Sequence, residues 1–273
     1  MDNIEQIYSH EFQFVRPVLY PLIKAVDQTN KKPQIKICPI MYEQNWEFTI
    51  GIQCLLTDTM DYSNIEYATL PRLYFITEVL KHYDDENWIC NNKIIVQLYN
   101  CLLILLDLVF KDQPHCFVLL NNNLGIRVYT DETKNFFVDI NSKKFEDIRQ
   151  IILHQNGYDY SDEFIHNDIK KYIYEQEKAS DDEVITSEDN MDCVMIEMKI
   201  YDENILAKMS MRRFNRFLTK IISRDSWKIQ TTASLSGMVT FKEKIPFWLV
   251  NQTKKSRLEK YFKNIKVENP VIL

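Results

Sequence analysis

The chain reads as an α+β, mainly helical protein. A small antiparallel β-hairpin or sheet near residues 116–140 is expected inside a helical N-terminal domain, with a helical C-terminal domain after it. Three observations predict this. Apolar residues recur at i, i+3, i+4 spacing over residues 68–82 and 91–110, which is the stripe of a helix with one buried face. Two short apolar runs flank Asn121-Asn122-Asn123-Leu124, whose asparagines tolerate the left-handed backbone angles of a tight turn. Charge also changes sign along the chain: residues 1–192 carry 17 basic and 32 acidic side chains, and residues 193–273 carry 16 and 7.

In chain order, residues 1–34 read as an exposed lead-in, broken by Pro17, Pro21 and Pro33 and by the polar run Asp27 to Lys32. Over Ile35–Ile40 apolar and other residues alternate (Ile35, Ile37 and, after Pro39, Met41), which suggests a short strand or extended entry. Trp46 to Asp58 is apolar and helical in its second half. Leu70, Leu73, Tyr74, Ile76, Thr77 and Leu80 line one face of a helix over Ala68–His82, with Pro71 in its first turn, where a missing N–H does no harm. After the polar break Asp84 to Asn87, Asn91–Phe110 is apolar on nearly all sides in its second half. It is the expected core helix of the first domain.

Cys116–Leu120, Gly125–Tyr129 and Phe136–Ile140 are the expected strands. Asn141 or Ser142 then caps a helix whose apolar face is Phe145, Ile148, Ile151 and Ile152. Gly157 fits the left-handed position that ends many helices. A second helical stripe follows at Ile169, Tyr172 and Ile173.

From Glu177 to Asp192 there are seven acidic side chains and one Lys. Repulsion at that density favours solvated, extended backbone, so 179–192 is read as a linker between a mixed domain, 35–178, and a basic, mostly helical domain, 193–273. In the latter, Ile205, Leu206, Met209, Phe214, Phe217, Leu218, Ile221 and Ile222 suggest the apolar side of one helix over Glu203–Ser223. A further segment is read after Trp227.

The chain has 273 residues, is 45% hydrophobic and carries a net charge of −6. It contains 4 glycines, all isolated, so neither a dinucleotide fingerprint nor a phosphate-binding loop can be written. The 6 cysteines form no CxxC pair and read as reduced, mostly buried thiols of a protein made in the cytoplasm. The N-terminus is acidic and shows no secretory leader. The longest apolar run, Cys101 to Leu106, falls short of the roughly 20 residues of a membrane span, so no membrane is expected.

No catalytic, cofactor-binding or metal-binding residues are read. His154 and His166 flank Asp159, Asp162 and Glu163, but without the spacing of a known metal site. Ser234-Leu235-Ser236-Gly237 lacks the first glycine of a nucleophile elbow and reads as a tight turn. The sharpest surface feature is Arg212-Arg213-Phe214-Asn215-Arg216-Phe217. Arginines beside aromatics can hold phosphates and stack on bases. The competing reading is an amphipathic helix with a buried Phe face, which the acidic overall charge favours. Arg212, Arg213, Arg216, Phe247 and Trp248 are the candidate partner-binding residues. Nucleic-acid binding through the basic C-terminal region is the alternative.

Three segments, Lys144–Gly157, Met209–Leu218 and Met238–Leu249, follow one another after a short hairpin. In that order they resemble a family of tail or baseplate assembly proteins of bacteriophages of AT-rich, Gram-positive hosts, over roughly residues 35–250. The resemblance implies a non-enzymatic role through contacts with other tail or baseplate proteins, or with further copies of the chain. It also implies a place in the virion tail or baseplate, or in the host cytoplasm during assembly as a chaperone. It implies no cofactor and carries over no catalytic residue.

Overall fold

The computed structural model describes residues 16–22, 32–56, 67, 69–158, 186–237, 239, 241, 245 and 247–249. The fold is α+β and mainly helical, with one two-stranded and one three-stranded antiparallel sheet among the described residues. The chain divides into two compact units. The first comprises residues 1–159 and 204–214, and the second residues 160–203 and 215–273. Asn204–Phe214 belongs with the first unit, and the boundary expected near residue 180 lies outside the described residues. The stripe expected at Ile169 to Ile173 lies outside the described residues.

The first unit opens with β1 (Val18–Tyr20), paired antiparallel with β2 (Ile35–Ile37). Part of the expected exposed lead-in is thus core: Val18 and Tyr20 are buried, and the Tyr20 hydroxyl donates to Asp147 at 3.1 Å. Burial, with the carboxylate beside it, pushes the Tyr20 hydroxyl pKa up. Residues Pro17 and Pro21 bracket this strand rather than abolish it, which is consistent with proline's place at strand ends.

A 3₁₀ turn leads into α1 (Asn45–Gly51) and α2 (Gln53–Leu56), so helix begins earlier than the second half of the Trp46–Asp58 run. The expected helix over 68–82 is shorter. Pro71 is the N-cap of α3 (Arg72–Thr77), and a 3₁₀ segment, Glu78–Lys81, continues it. Asp85 caps α4 (Glu86–Asn91) by accepting from the Trp88 N–H.

The core helix is α5 (Lys93–Phe110), which buries Ile95, Leu98, Cys101, Leu102, Leu105, Leu106, Val109 and Phe110. It is long and apolar enough to cross a membrane by length and composition. Within the first unit it packs against α1, α2 and α3. Glycine lets α1 approach closely, since a Cβ on Gly51 would lie 3.2 Å from the Leu105 backbone nitrogen.

The three-stranded sheet is β3 (His115–Leu120), β4 (Asn123–Tyr129) and β5 (Phe137–Ile140), in that order. Asn121 and Asn122 form the turn, both at positive φ, 49° and 67°. These angles match the twist of a two-residue hairpin. Ile126, Val128, Val138 and Ile140 are buried. On the opposite face Arg127 holds Asp139 through two bonds, of 2.7 and 2.8 Å, and lies over the Phe137 ring.

Next comes α6 (Ser142–Asn156). The Asn141 side chain accepts from the Lys144 N–H at its start, and Gly157 closes it at φ 85°. Buried polar side chains at its end tie it to the two-stranded sheet. Gln155 donates to the Ile37 carbonyl, and Asn156 accepts from the Ile40 N–H, both at 3.3 Å. Arg149, also buried, donates to the Leu55 carbonyl at 2.8 Å and pairs with Glu146. Each of these groups has lost water and needs its partner.

The expected linker 179–192 is corrected in its described part, because α7 (Ser187–Met198) already begins there. Thr186 and Asp189 form a reciprocal capping box, and Glu188 and Asp189 stand in the first turn. Negative charge there meets the unpaired N–H groups and the positive end of the helix dipole, so acidity favours this helix start. Lys199, in a left-handed conformation, ends the helix.

The single helix expected over Glu203–Ser223 is two. Between α8 (Glu203–Ala207) and α9 (Met211–Leu235), Ser210 bridges to Met41 in the first unit. The Tyr42 N–H donates to the Met209 carbonyl and the Met211 N–H to the Ile40 carbonyl, each at 2.8 Å. These main-chain bonds interrupt the helix. Beyond them α9 runs unbroken past Trp227 to Leu235, and Ser236 and Gly237 form a turn.

Candidate docking surface

No group of side chains able to hold a metal ion is seen among the described residues. His166, Asp159, Asp162 and Glu163 lie outside them. All six cysteines are free thiols. Only Cys54 and Cys101 are buried, while Cys90 and Cys116 are exposed and Cys38 and Cys193 are intermediate, which corrects the expectation of mostly buried thiols. Burial pushes the Cys54 thiol up in pKa, so it stays neutral and unreactive.

The Arg/Phe run at the start of α9 divides between two environments. Phe214 is buried and stacks on Tyr42 with ring centroids 3.9 Å apart. Arg212 turns inward and donates to the His154 carbonyl in the last turn of α6. A cation at that place meets the carbonyls a helix leaves unpaired at its C-terminus. Arg212 is therefore a contact within the first unit. Arg213 is exposed and Arg216 half-buried. Of the five partner-binding candidates, Phe247 and Trp248 lie together, with ring centroids 6.0 Å apart.

In the second unit, Phe247 and Trp248 meet α9. Trp227 packs edge-on to Phe247, with centroids 5.5 Å apart and planes at 89°. Lys220 donates to the carbonyls of Trp248, at 3.4 Å, and Leu249, at 3.2 Å. Lys220 and Trp227 are seven residues apart, two turns along one side of the helix. On that unit too, Arg224 pairs with Glu197 and Asp225, which raises the Arg224 pKa and holds the Asp225 carboxyl low.

A different stripe of α9 is open. Ile222 is 58% exposed and Ile229 is 71% exposed. They too are seven residues apart, and they lie about 140° (Ile222) and about 160° (Ile229) around the helix from Trp227 at 100° per residue. Asn215, Thr219 and Ser226 are exposed on the same stripe, giving alternating spacings of four and three. That is the spacing of a seam that meets another helix. Single exposed apolar residues are ordinary. Two isoleucines in one register, flanked by small polar side chains that leave room for a neighbour, form a surface able to bury apolar area against a partner.

The sequence reading assigned Ile222 to the core and did not single out Ile229. Ile205, assigned likewise, is also exposed, whereas Leu206 and Phe214 are buried as expected. The signal for the open stripe was the seven-residue spacing of Ile222 and Ile229. It was hidden because almost every turn of this helix carries an apolar residue.

Comparison with protein-family models, with curated proteins and with solved structures finds no match.

Proposed function

We propose that the chain works by docking onto other proteins, as a non-enzymatic component of a phage tail or baseplate or as a factor that assembles one. The observation that carries the docking is the Ile222–Ile229 stripe, two large apolar side chains left in water on one line of a 25-residue helix. Burying each against a partner helix is worth about 1.5–3 kcal/mol before the costs of association. The tail or baseplate assignment rests on the order and residues of Lys144–Gly157, Met209–Leu218 and Met238–Leu249. Arg212 and Arg224 are engaged by protein acceptors, which leaves fewer cations for phosphate contacts and favours docking over the nucleic-acid alternative.

The test is pairwise binding of the full chain to the tail and baseplate proteins encoded with it, repeated with Ile222→Glu/Ile229→Glu. Binding to at least one, weakened tenfold or more in the variant, supports the reading. A chain that binds none of them refutes the tail assignment. Binding that the variant leaves unchanged refutes the assigned surface.

A further inference from the structure

Three of the sheet edges are treated differently. At β2 the outward main chain of Lys36 is taken by the side chain of Gln113, which both accepts from its N–H and donates to its carbonyl. At β5 the Lys144 ammonium donates to the outward Asp139 carbonyl at 2.6 Å. A strand edge closed by a side chain cannot template another strand.

Among the described residues nothing closes the β3 edge in this way. The two-residue turn at Asn121-Asn122 makes Leu120 and Asn123 a hydrogen-bonded pair, and the Tyr129 N–H donates to the Pro114 carbonyl further along the same ladder. Alternation between these points directs the N–H and C=O of His115, Phe117 and Leu119 away from β4. No hydrogen bond from another described residue reaches those outward groups. The strand reads His-Cys-Phe-Val-Leu-Leu, without Lys, Glu or an internal Pro, and Leu119 is 70% exposed.

We infer that this edge pairs with the β3 edge of a second copy of the chain, antiparallel and about a two-fold axis through Phe117. In that register Phe117 faces its own mate, and His115 faces Leu119 of the other copy. Every outward N–H and C=O of the three residues then finds a partner, which is what an isologous contact requires. Charge favours a second copy as the occupant. The whole chain carries −6, yet β3 itself holds no acidic side chain, and the carboxylate beside it, Asp107, lies 3.4 Å from His115 of its own copy, so in this register no two like charges stand directly opposite. An edge without charge also offers no handle for selecting a charged foreign strand. The inference stands apart from the tail assignment and does not use α9.

The test is sedimentation equilibrium of the full chain over a range of micromolar concentrations, with amide hydrogen exchange read at the two ends of the range. Leu119→Lys puts a charge on the edge, and Leu119→Pro removes an outward donor without touching a β3–β4 bond. The wild type should dimerise, and its Phe117 and Leu119 amides should exchange at least tenfold more slowly in the dimer. Both variants should be monomeric with unchanged circular dichroism. A wild type that stays monomeric throughout overturns the inference. So does a dimer in which those amides exchange as fast as in the monomer, which also decides the matter if a variant fails to fold. A dimer that persists in both folded variants overturns it as well.

Discussion

Gln113 stands in for a strand at Lys36. Its side-chain oxygen accepts from the Lys36 N–H at 2.7 Å, and its side-chain nitrogen donates to the Lys36 carbonyl at 2.7 Å. The same nitrogen reaches the Phe110 carbonyl at 3.2 Å, so this buried amide joins the end of α5 to the edge of β2. A backbone pair and a helix end are satisfied by one side chain seventy-seven residues away in sequence.

Gln113→Leu keeps the volume and removes all three bonds. It should destabilise the first unit by about 2–3 kcal/mol, the cost of leaving partly buried main-chain groups unpaired. Urea unfolding is the check: the midpoint falls and the slope is unchanged. A wild-type midpoint would show that the amide contributes nothing.

Gly125 is fixed by contact rather than by a special backbone angle. A Cβ there would sit 2.4 Å from the Leu120 Cδ1 and 2.8 Å from the Ile140 carbonyl oxygen. The leucine can move, but the main chain of β5 cannot without disturbing the sheet. Gly125→Ala should cost about 1–3 kcal/mol through overpacking, read as a lower thermal midpoint. Gly125→Ala combined with Leu120→Ala should recover only part of it, because the carbonyl contact remains.

The start of α7 should loosen in acid. Bonds from Thr186 hold the Asp189 carboxyl below its ordinary pKa. A depressed carboxylate pKa contributes stability that is present above the ordinary value, near pH 4, and is lost as pH falls through the folded-state value. Amide protection over residues 187–190, taken relative to the intrinsic exchange rate at each pH, should therefore fall below about pH 4. Asp189→Asn should remove that pH dependence, and Thr186→Ala should cost about 1 kcal/mol of local stability at neutral pH. Protection that is equally pH-dependent in Asp189→Asn would assign the effect to another group.

Local signals carried well into the fold. The Gly157 end and the apolar α5 depend on residues within a few positions, and each lies where the sequence places it; of the two cap candidates Asn141 is the acceptor, and the asparagine turn is tighter than its four-residue reading, with Asn123 and Leu124 paired in β4. What failed depends on distant partners. β1 is three residues long and owes its burial to β2 and to Asp147. The break between α8 and α9 interrupts an apolar pattern that reads as continuous. It is imposed by bonds to Ile40, Met41 and Tyr42, some 170 residues upstream. The acidic run reads in sequence as mutual repulsion, whereas in the fold Glu188 and Asp189 stand in the first turn of α7, where a helix N-terminus attracts carboxylates. At the candidate surface, Arg212 illustrates the same limit, since its sequence neighbours cannot reveal that its acceptor is the carbonyl of His154.

Pairwise binding between the full chain and each tail or baseplate protein encoded with it tests the central claim most directly. Isothermal titration should give a dissociation constant at or below the micromolar range for at least one of them. Ile222→Glu/Ile229→Glu should weaken that binding at least tenfold while circular dichroism stays that of the wild type. Absence of binding to every one of these proteins, or equal binding by the folded variant, would contradict it.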